Sequence, residues 1–140
     1  MIAKNKCYVT LFISFLFLCG NAFSADKAVG SSWVTGTYSN FAYNREAGDL
    51  NGVEIRLIFT RTGIKGVIQF AEGRAGDVAL VDVKTTGSQI HFEMPSSFQT
   101  QGAFEGIVSE KGIKGVFKYS SGAEEPLILP RSTSYWDKHR

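Results

Sequence analysis

The side chains that most often carry out catalysis are scarce in this chain of 140 residues. It has two histidines, His91 and His139, and two cysteines, Cys7 and Cys19. The pentapeptide Gly-x-Ser-x-Gly, which presents the nucleophile of α/β-hydrolases, does not occur. Neither histidine has a serine or aspartate partner in a motif typical of a catalytic triad. We therefore expect no catalytic residues, no cofactor and no enzymatic activity.

Groups that could bind a metal ion or act as paired acids are also few. The segment 48–52 is similar to part of a calcium loop, but it offers two oxygen side chains and no following glutamate, so we interpret it as a turn. Glu54, Glu93 and Glu105 fall at outward strand positions, and a glycosidase would require two of them to converge. We expect His91 to face solvent beside Glu93 and the protein to have no metal site.

Aromatic side chains are more numerous, with eleven phenylalanines, five tyrosines and two tryptophans. Six occupy positions that should face a core, namely Phe59, Phe70, Phe92, Phe104, Phe117 and Tyr119. Others lie at the ends of the folded region or in a loop, and from these we select the candidate residues for binding a ligand or partner, Trp33, Tyr38, Tyr43, Phe98 and Trp136. We expect Trp33 to plug one end of the fold and Trp136 to pack back on it, because an exposed tryptophan favours aggregation.

Alternating apolar and polar residues predict short strands rather than helices. Val53, Ile55 and Leu57 share one face of a strand, for example, while Glu54 lies on the other. The predicted strands are 32–41, 53–60, 64–70, 78–85, 89–94, 101–109, 113–119 and 126–131. Glycine-containing turns separate most of them, and the segment 44–52 is a longer polar connection. The pattern predicts an all-β fold, a single antiparallel eight-stranded up-and-down barrel, with a β-sandwich as the alternative.

One pentapeptide, Gly-Ile-Lys-Gly-Val, occurs twice, at 63–67 and at 112–116. We interpret both copies as the same hairpin, with a tight turn at the first glycine and a strand that contains the second. Glycines inside strands, namely Gly66, Gly106 and Gly115, indicate bends or a close approach of neighbouring backbone. The alternative is a duplicated binding motif.

The first twenty-four residues have the layout of a secretory signal peptide. Lys4 and Lys6 precede an almost wholly apolar run at 7–19, which is shorter than the roughly 20 residues that span a bilayer. Small residues at Ala22 and Ser24 mark a cleavage site after Ser24. We predict export to the periplasm or the extracellular space without stable membrane insertion; lipidation at Cys19 or a retained anchor are the alternatives.

This leader changes what the overall composition means. The net charge of +2 and both cysteines belong to residues 1–24, so residues 25–140 are neutral and have no thiol. Thiol catalysis, thiolate metal sites and disulfides are thereby excluded from the exported chain. A neutral chain without a basic cluster also argues against nucleic-acid binding.

A further pattern is the order of aromatic, glycine and proline motifs along the chain. They read Trp33-x-x-Gly36-x-Tyr38, Phe92-Glu93-Met94-Pro95, Phe104-Glu105-Gly106 and Leu127-Ile128-Leu129-Pro130-Arg131, with the repeated pentapeptide between them. Over 32–131 this order resembles the small all-β domain that precedes the catalytic domain of many bacterial α/β-hydrolases. It is similar, more loosely, to lipocalin and avidin barrels. We expect the domain to stand alone here, so the resemblance carries over no catalytic residue.

Together these features predict four segments, a signal peptide at 1–24, a linker at 25–31, a β-barrel domain at 32–131 and a C-terminal tail at 132–140. We expect a secreted, non-enzymatic binding module for a small apolar ligand or an envelope protein. Binding would use the barrel mouth or the loops 44–52, 73–76 and 95–101. The alternative is a periplasmic inhibitor or immunity-type protein that blocks a cell-envelope enzyme. The sequence predicts no oligomeric state.

Overall fold

The computed structural model describes residues 33–138, which form eight strands and one short helix. In chain order these are β1 (Gly36–Ser39), β2 (Ala42–Asn44), β3 (Asp49–Thr60), β4 (Gly63–Thr86), β5 (Gln89–Glu93), β6 (Gly102–Ser109), β7 (Gly112–Tyr119), β8 (Glu124–Ser132) and α1 (Tyr135–Lys138). The predicted signal peptide, the linker and His139 lie outside the described residues. No helix within 33–138 is long and apolar enough to cross a bilayer.

The strands form one antiparallel sheet that closes on itself. Their order is β1-β8-β7-β6-β5-β4-β3-β2, and β1 pairs with β3 as well as with β8. β4 supplies two strands of the wall, because its halves, 63–73 and 74–86, lie side by side. Lys65 forms an ion pair with Asp82, and Gln69 Nε2 donates to the Gly76 carbonyl oxygen over 2.8 Å. The predicted eight-stranded up-and-down barrel is thus confirmed, with β2 as an extra strand, and the sandwich alternative is wrong.

Two predicted connections are in fact parts of strands. The segment 44–52 forms a hairpin between β2 and β3, because the Asn44 side chain accepts hydrogen bonds from the Glu46 and Ala47 amides and Gly48 adopts a φ of 76°. The predicted first strand is interrupted after Ser39, where Asn40 Oδ1 accepts a hydrogen bond from the Val53 amide over 2.7 Å, and pairing with β3 resumes at Ala42. The glycine-rich segment 72–76, expected to be a loop, continues β4 through its bend, since Glu72 and Gly73 still pair with β3.

Apolar side chains fill the barrel interior. Phe92 and Phe104 stack with ring centroids 5.2 Å apart, as expected for predicted core residues. Fully buried side chains surround them, among them Tyr38, Phe117, Ile55, Ile68, Ile113 and Leu129. Burial of this apolar area is the main contribution that holds the strands together.

The structure corrects three predictions about aromatic residues. Phe59, expected in the core, is 62% exposed; it is the next-to-last residue of β3 and pairs with Ile64 beside the β3–β4 turn. Trp33 is 44% exposed, and the neighbouring Val34 is the buried residue at that end of the barrel. Phe70 and Tyr119 are partly buried and pack on the edge of the core.

The repeated pentapeptide forms two equivalent hairpins, as predicted. Thr60 pairs with Gly63 across the first turn and Ser109 with Gly112 across the second. In each, the hydroxyl before the turn donates to the carbonyl oxygen of the glycine after it, over 2.7 Å for Thr60 and 3.1 Å for Ser109. One turn geometry therefore accounts for the repeat.

The C-terminal segment packs on the outer wall of the barrel. Ser134 Oγ and the Tyr135 amide donate to the two carboxylate oxygens of Glu54, over 2.6 and 2.9 Å. Trp136 Nε1 donates to Gln69 Oε1 over 2.9 Å, and its ring packs edge-on against Phe41. Glu54 points outward, as predicted, yet it is only 6% exposed because this segment covers it.

Candidate functional site

One end of the barrel carries an open cleft of about 1010 Å³ between three segments of the chain. One wall is the bend of β4 at 72–77, the second is the loop 97–101, and the third is formed by residues 119–121. We call this region the mouth cleft. Because alternate ends of antiparallel strands meet at the same end of a barrel, the topology brings these distant segments together.

Aromatic side chains form the floor of the mouth cleft. Phe70, Phe98 and Tyr119 are each partly buried against the core. The Phe117 ring lies beneath two of them, with its centroid 5.6 Å from that of Phe70 and 4.8 Å from that of Tyr119, both edge-on. Such edge-to-face packing holds the rings in place, so the floor is a preformed surface.

Gln101 holds the loop that carries Phe98. Its Nε2 donates to the carbonyl oxygens of Pro95, at 3.0 Å, and of Ser96 and Phe98. The Phe98 amide donates to the Pro95 oxygen over 2.9 Å, and the Ser120 amide to the Gln101 oxygen over 3.1 Å. These bonds tie two walls of the cleft together and position Phe98.

The polar lining of the mouth cleft is mostly neutral amide and hydroxyl groups, and acidic side chains outnumber basic ones among its charged residues. Glu72 and Asp77 line it together with one cation, Arg74. Burial, the hydrogen bond from the Tyr119 hydroxyl to Glu125, and the charges of Glu125 and Glu72 raise the pKa of Tyr119 to about 12. The tyrosine therefore stays protonated and donates to Glu125 at physiological pH.

The five candidate residues selected from the sequence lie in different places. Phe98 is in the mouth cleft. Tyr43 lines a second, smaller pocket of about 550 Å³, on the wall where Trp136 packs. Trp33 lies at the end of the barrel opposite the cleft. Tyr38 is 0% exposed, donates to the Val34 oxygen over 2.6 Å and accepts from Arg131 Nη2 over 2.6 Å, so its hydroxyl serves the fold.

Two of the segments expected from the sequence to contribute to binding line the cleft, whereas several individual lining residues were not predicted. The segments 73–76 and 95–101 were expected to contribute to binding. Glu72, Asp77 and Tyr119 were not selected, although the glycines on each side of Arg74 and the polar residues after Tyr119 marked those positions as turns. The residues typical of turns were recognisable in the sequence, but they do not indicate which turns lie next to each other in the folded barrel.

His91 lies on the outer wall, as predicted, beside Glu93 and also Glu105. Its Nε2 is 3.5 Å from Glu93 Oε1 and its Nδ1 is 3.9 Å from Glu105 Oε1. The Lys118 ammonium donates to Glu105 over 2.7 Å and lowers the pKa of that carboxyl group. Within 33–138 no group of three or more potential ligands is arranged to hold a metal ion, so we treat these residues as a solvated charge cluster.

Comparison with known proteins was made at three levels. No family model, no curated protein and no solved structure matches the chain.

Proposed function

We propose that the protein is an exported, non-enzymatic binding protein whose site is the mouth cleft. The observation that carries this proposal is the contrast between a barrel interior filled by side chains such as Phe92 and Phe104 and an open cleft at its mouth. The cleft combines a fixed aromatic floor with hydrogen-bonding walls, the composition typical of binding sites. Export rests on the predicted signal peptide.

An envelope protein fits this cleft better than a small apolar ligand does. An apolar molecule would be enclosed best inside a barrel, and here that space holds Phe104, Phe117 and Ile68. The cleft is open and its walls bear Glu72, Arg74 and several amide and hydroxyl groups. Such a mixed surface is typical of the contact regions between proteins.

An inhibitor of an envelope enzyme is a second candidate. Arg74 is exposed at the tip of the β4 bend, next to Gly73, which has a φ of 79°. A projecting arginine on a tight bend is the kind of anchor that enters an enzyme's active site. If the protein is an inhibitor, the β4 bend inserts into the active site of the enzyme. The mouth cleft then contacts the surface around that active site.

The test is affinity capture from an envelope extract of the native host, with the wild-type protein and two variants as bait. Phe98→Ala removes part of the cleft floor, whereas Ile128→Ala removes an exposed side chain on the outer face of β8. We expect wild type and Ile128→Ala to retain the same protein and Phe98→Ala to lose most of it.

Three results would decide between the alternatives. Equal capture by all three baits, or native mass spectrometry that shows a bound apolar molecule and no protein, would contradict the proposal. Loss of capture with Arg74→Ala, together with an enzyme among the captured proteins, would favour the inhibitor. Circular dichroism of each variant establishes that the baits are folded.

A further inference from the structure

The second half of β4 has an edge that pairs with no strand among the described residues. β4 pairs with β5 only at Lys84, Thr85 and Thr86. From 74 to 83 its one neighbour in the sheet is its own first half, as the Lys65–Asp82 ion pair shows. Along this stretch the backbone groups on the other side lack a ladder partner.

This edge lacks the lysine and proline that most often block strand pairing; its charged residues are Arg74, Asp77 and Asp82, and Asp82 is paired with Lys65. Natural edges are commonly blocked by lysine, proline or a covering loop. Between 74 and 83 the chain has neither lysine nor proline, and residues 74–78 are all exposed. Ala79, Val81 and Val83 remain buried against the core, so the strand is held in position while its edge stays open.

The open edge begins in the mouth cleft. Residues 74–77 line the cleft, and the loop 97–101 stands opposite with Phe98 on the floor between them. A segment lying in the cleft would therefore run beside the edge. A strand alternates its side chains, so one set would reach the aromatic floor while the backbone faced the edge.

The charged side chains around the mouth cleft indicate the charge of the peptide that it would bind. Glu72 and Asp77 lie on the β4 side and Glu125 stands beside Tyr119, against the single cation Arg74. The cleft lining thus carries two carboxylates against one guanidinium, and Glu125, just outside it, accepts the hydrogen bond of Tyr119. This excess of negative charge attracts a positively charged partner and disfavours an acidic one.

We infer that the mouth cleft binds an extended, basic peptide segment of the partner protein, which adds a strand to the open edge of β4 at 74–83. Main-chain hydrogen bonds supply much of the affinity in this mode, and side-chain contacts supply the specificity. Here an apolar side chain rests on Phe98 and Tyr119, and a lysine or arginine approaches Glu72 or Asp77. The inference rests on the proposed function, since it specifies the partner of the same site.

The first experiment selects random peptides displayed on phage against the immobilised protein, in a library of on the order of ten residues, which would span 74–83 at about 3.3 Å per residue. We expect enriched peptides to be basic and to alternate apolar with polar residues. Their synthetic versions should bind about tenfold more weakly to the double variant Glu72→Gln, Asp77→Asn. Binding to Glu110→Gln, an exposed carboxylate in the β6–β7 turn at the opposite end, should be unchanged.

The second experiment asks whether the bound peptide forms a strand. Amide hydrogen exchange across 74–83 should slow when the peptide is added. Methylating alternate backbone nitrogens of the peptide should abolish binding for one set of positions and spare the other, because only one set faces the protein edge.

The inference would be overturned by a selection that enriches no peptide or only acidic ones. It would also be overturned by exchange that slows at 97–101 and 119–121 alone, or by equal effects of both methylated sets. In those last two cases the cleft still binds, so the proposed function survives. The proposed function itself would be contradicted if Phe98→Ala captured as much partner protein as the wild type.

Discussion

Among single residues, Glu54 is buried although the alternation of its strand places it on the outer, solvent-facing side. Its outward place on β3 follows from the alternation of Val53 and Ile55. The C-terminal segment then covers it, and both of its oxygens accept hydrogen bonds, from Ser134 Oγ and from the Tyr135 amide. A charged acceptor of this kind stabilises the segment that it holds.

We predict that Glu54→Ala lowers the free energy of unfolding by about 2 kcal/mol, because one buried and one partly buried donor lose a charged acceptor. Urea denaturation followed by tryptophan fluorescence measures this change, since Trp136 lies on the segment that would be released. Glu46→Ala, in the exposed β2–β3 turn, is the control and should change stability by less than about 0.5 kcal/mol. Similar values for the two variants would show that Glu54 does not anchor the tail.

A second residue-scale prediction concerns Tyr119. Its pKa is raised in the folded protein from 10.0 to about 12, so the stability that it contributes is complete below pH 10 and is lost as the pH rises toward 12. Glu125→Gln removes the negative acceptor and should lower the pKa of Tyr119.

Ultraviolet titration of tyrosinate formation tests this, with Tyr119→Phe used to assign the step. Glu124→Gln removes the neighbouring carboxylate, whose effect falls on Lys118. This control should leave the titration of Tyr119 in place. An unchanged curve in Glu125→Gln would contradict the assigned hydrogen bond.

At the scale of elements, the two copies of Gly-Ile-Lys-Gly-Val form the same hairpin but pack differently. The second glycine of the first copy, Gly66, faces the side chains of Val81 and Val83 rather than backbone. The corresponding Gly115 pairs with Gly106 across β6 and β7 and faces backbone as well as the Phe104 ring. Gly106 and Gly115 therefore make room for Phe104 in the core.

We predict that Gly115→Ala destabilises the protein by about 3 kcal/mol and Gly66→Ala by about 1 kcal/mol. A Cβ at Gly115 would overlap the Glu105 carbonyl oxygen and lie 2.5 Å from Phe104 Cζ, and neither can move without shifting a strand or the core. At Gly66 it would lie 2.8 Å from Val81 Cγ2, a side-chain methyl group that can shift more readily than paired backbone. Chemical denaturation compares the two, and equal losses would show that the turn, rather than the packing, determines the cost.

At the scale of the whole molecule, the barrel depends on the contact between its first and last strands. β1 is short, and it pairs with β8 at only two residue pairs. Arg131 reinforces this junction by donating to the carbonyl oxygens of Thr35, over 2.8 Å, and Trp33, over 2.5 Å, and to the Tyr38 hydroxyl. Its guanidinium carbon also lies 4.8 Å from the centroid of the Tyr38 ring.

We predict that Arg131→Ala lowers the free energy of unfolding by about 2–3 kcal/mol, because three acceptors at the closure lose their donor. Tyr38→Phe should be non-additive with it by about 1 kcal/mol, since the two side chains share a hydrogen bond. Urea denaturation of the single and double variants measures the coupling, and Arg61→Ala in the exposed β3–β4 turn is the control. Strict additivity would show that the two residues stabilise the closure independently.

Much of the wall of the barrel could be predicted from local pattern. Val53, Ile55 and Leu57 face inward in the structure, as their two-residue spacing indicates. The positions where strands bend or end were harder to predict from the sequence. Glu72 and Gly73 belong to a strand because β3 lies beside them, and the turn-like sequence around them does not contain that information.

Local sequence patterns were enough to predict the class of fold, most inward-facing positions and the equivalence of the two hairpins, because alternation and turn chemistry act between near neighbours. The burial of Glu54 and the meeting of Phe70, Phe98 and Tyr119 in one cleft floor became visible only in the folded barrel. The same is true of the open edge of β4. These features depend on which segments meet when the barrel closes, and closure is a property of the whole sheet and its packed core rather than of any short stretch of chain.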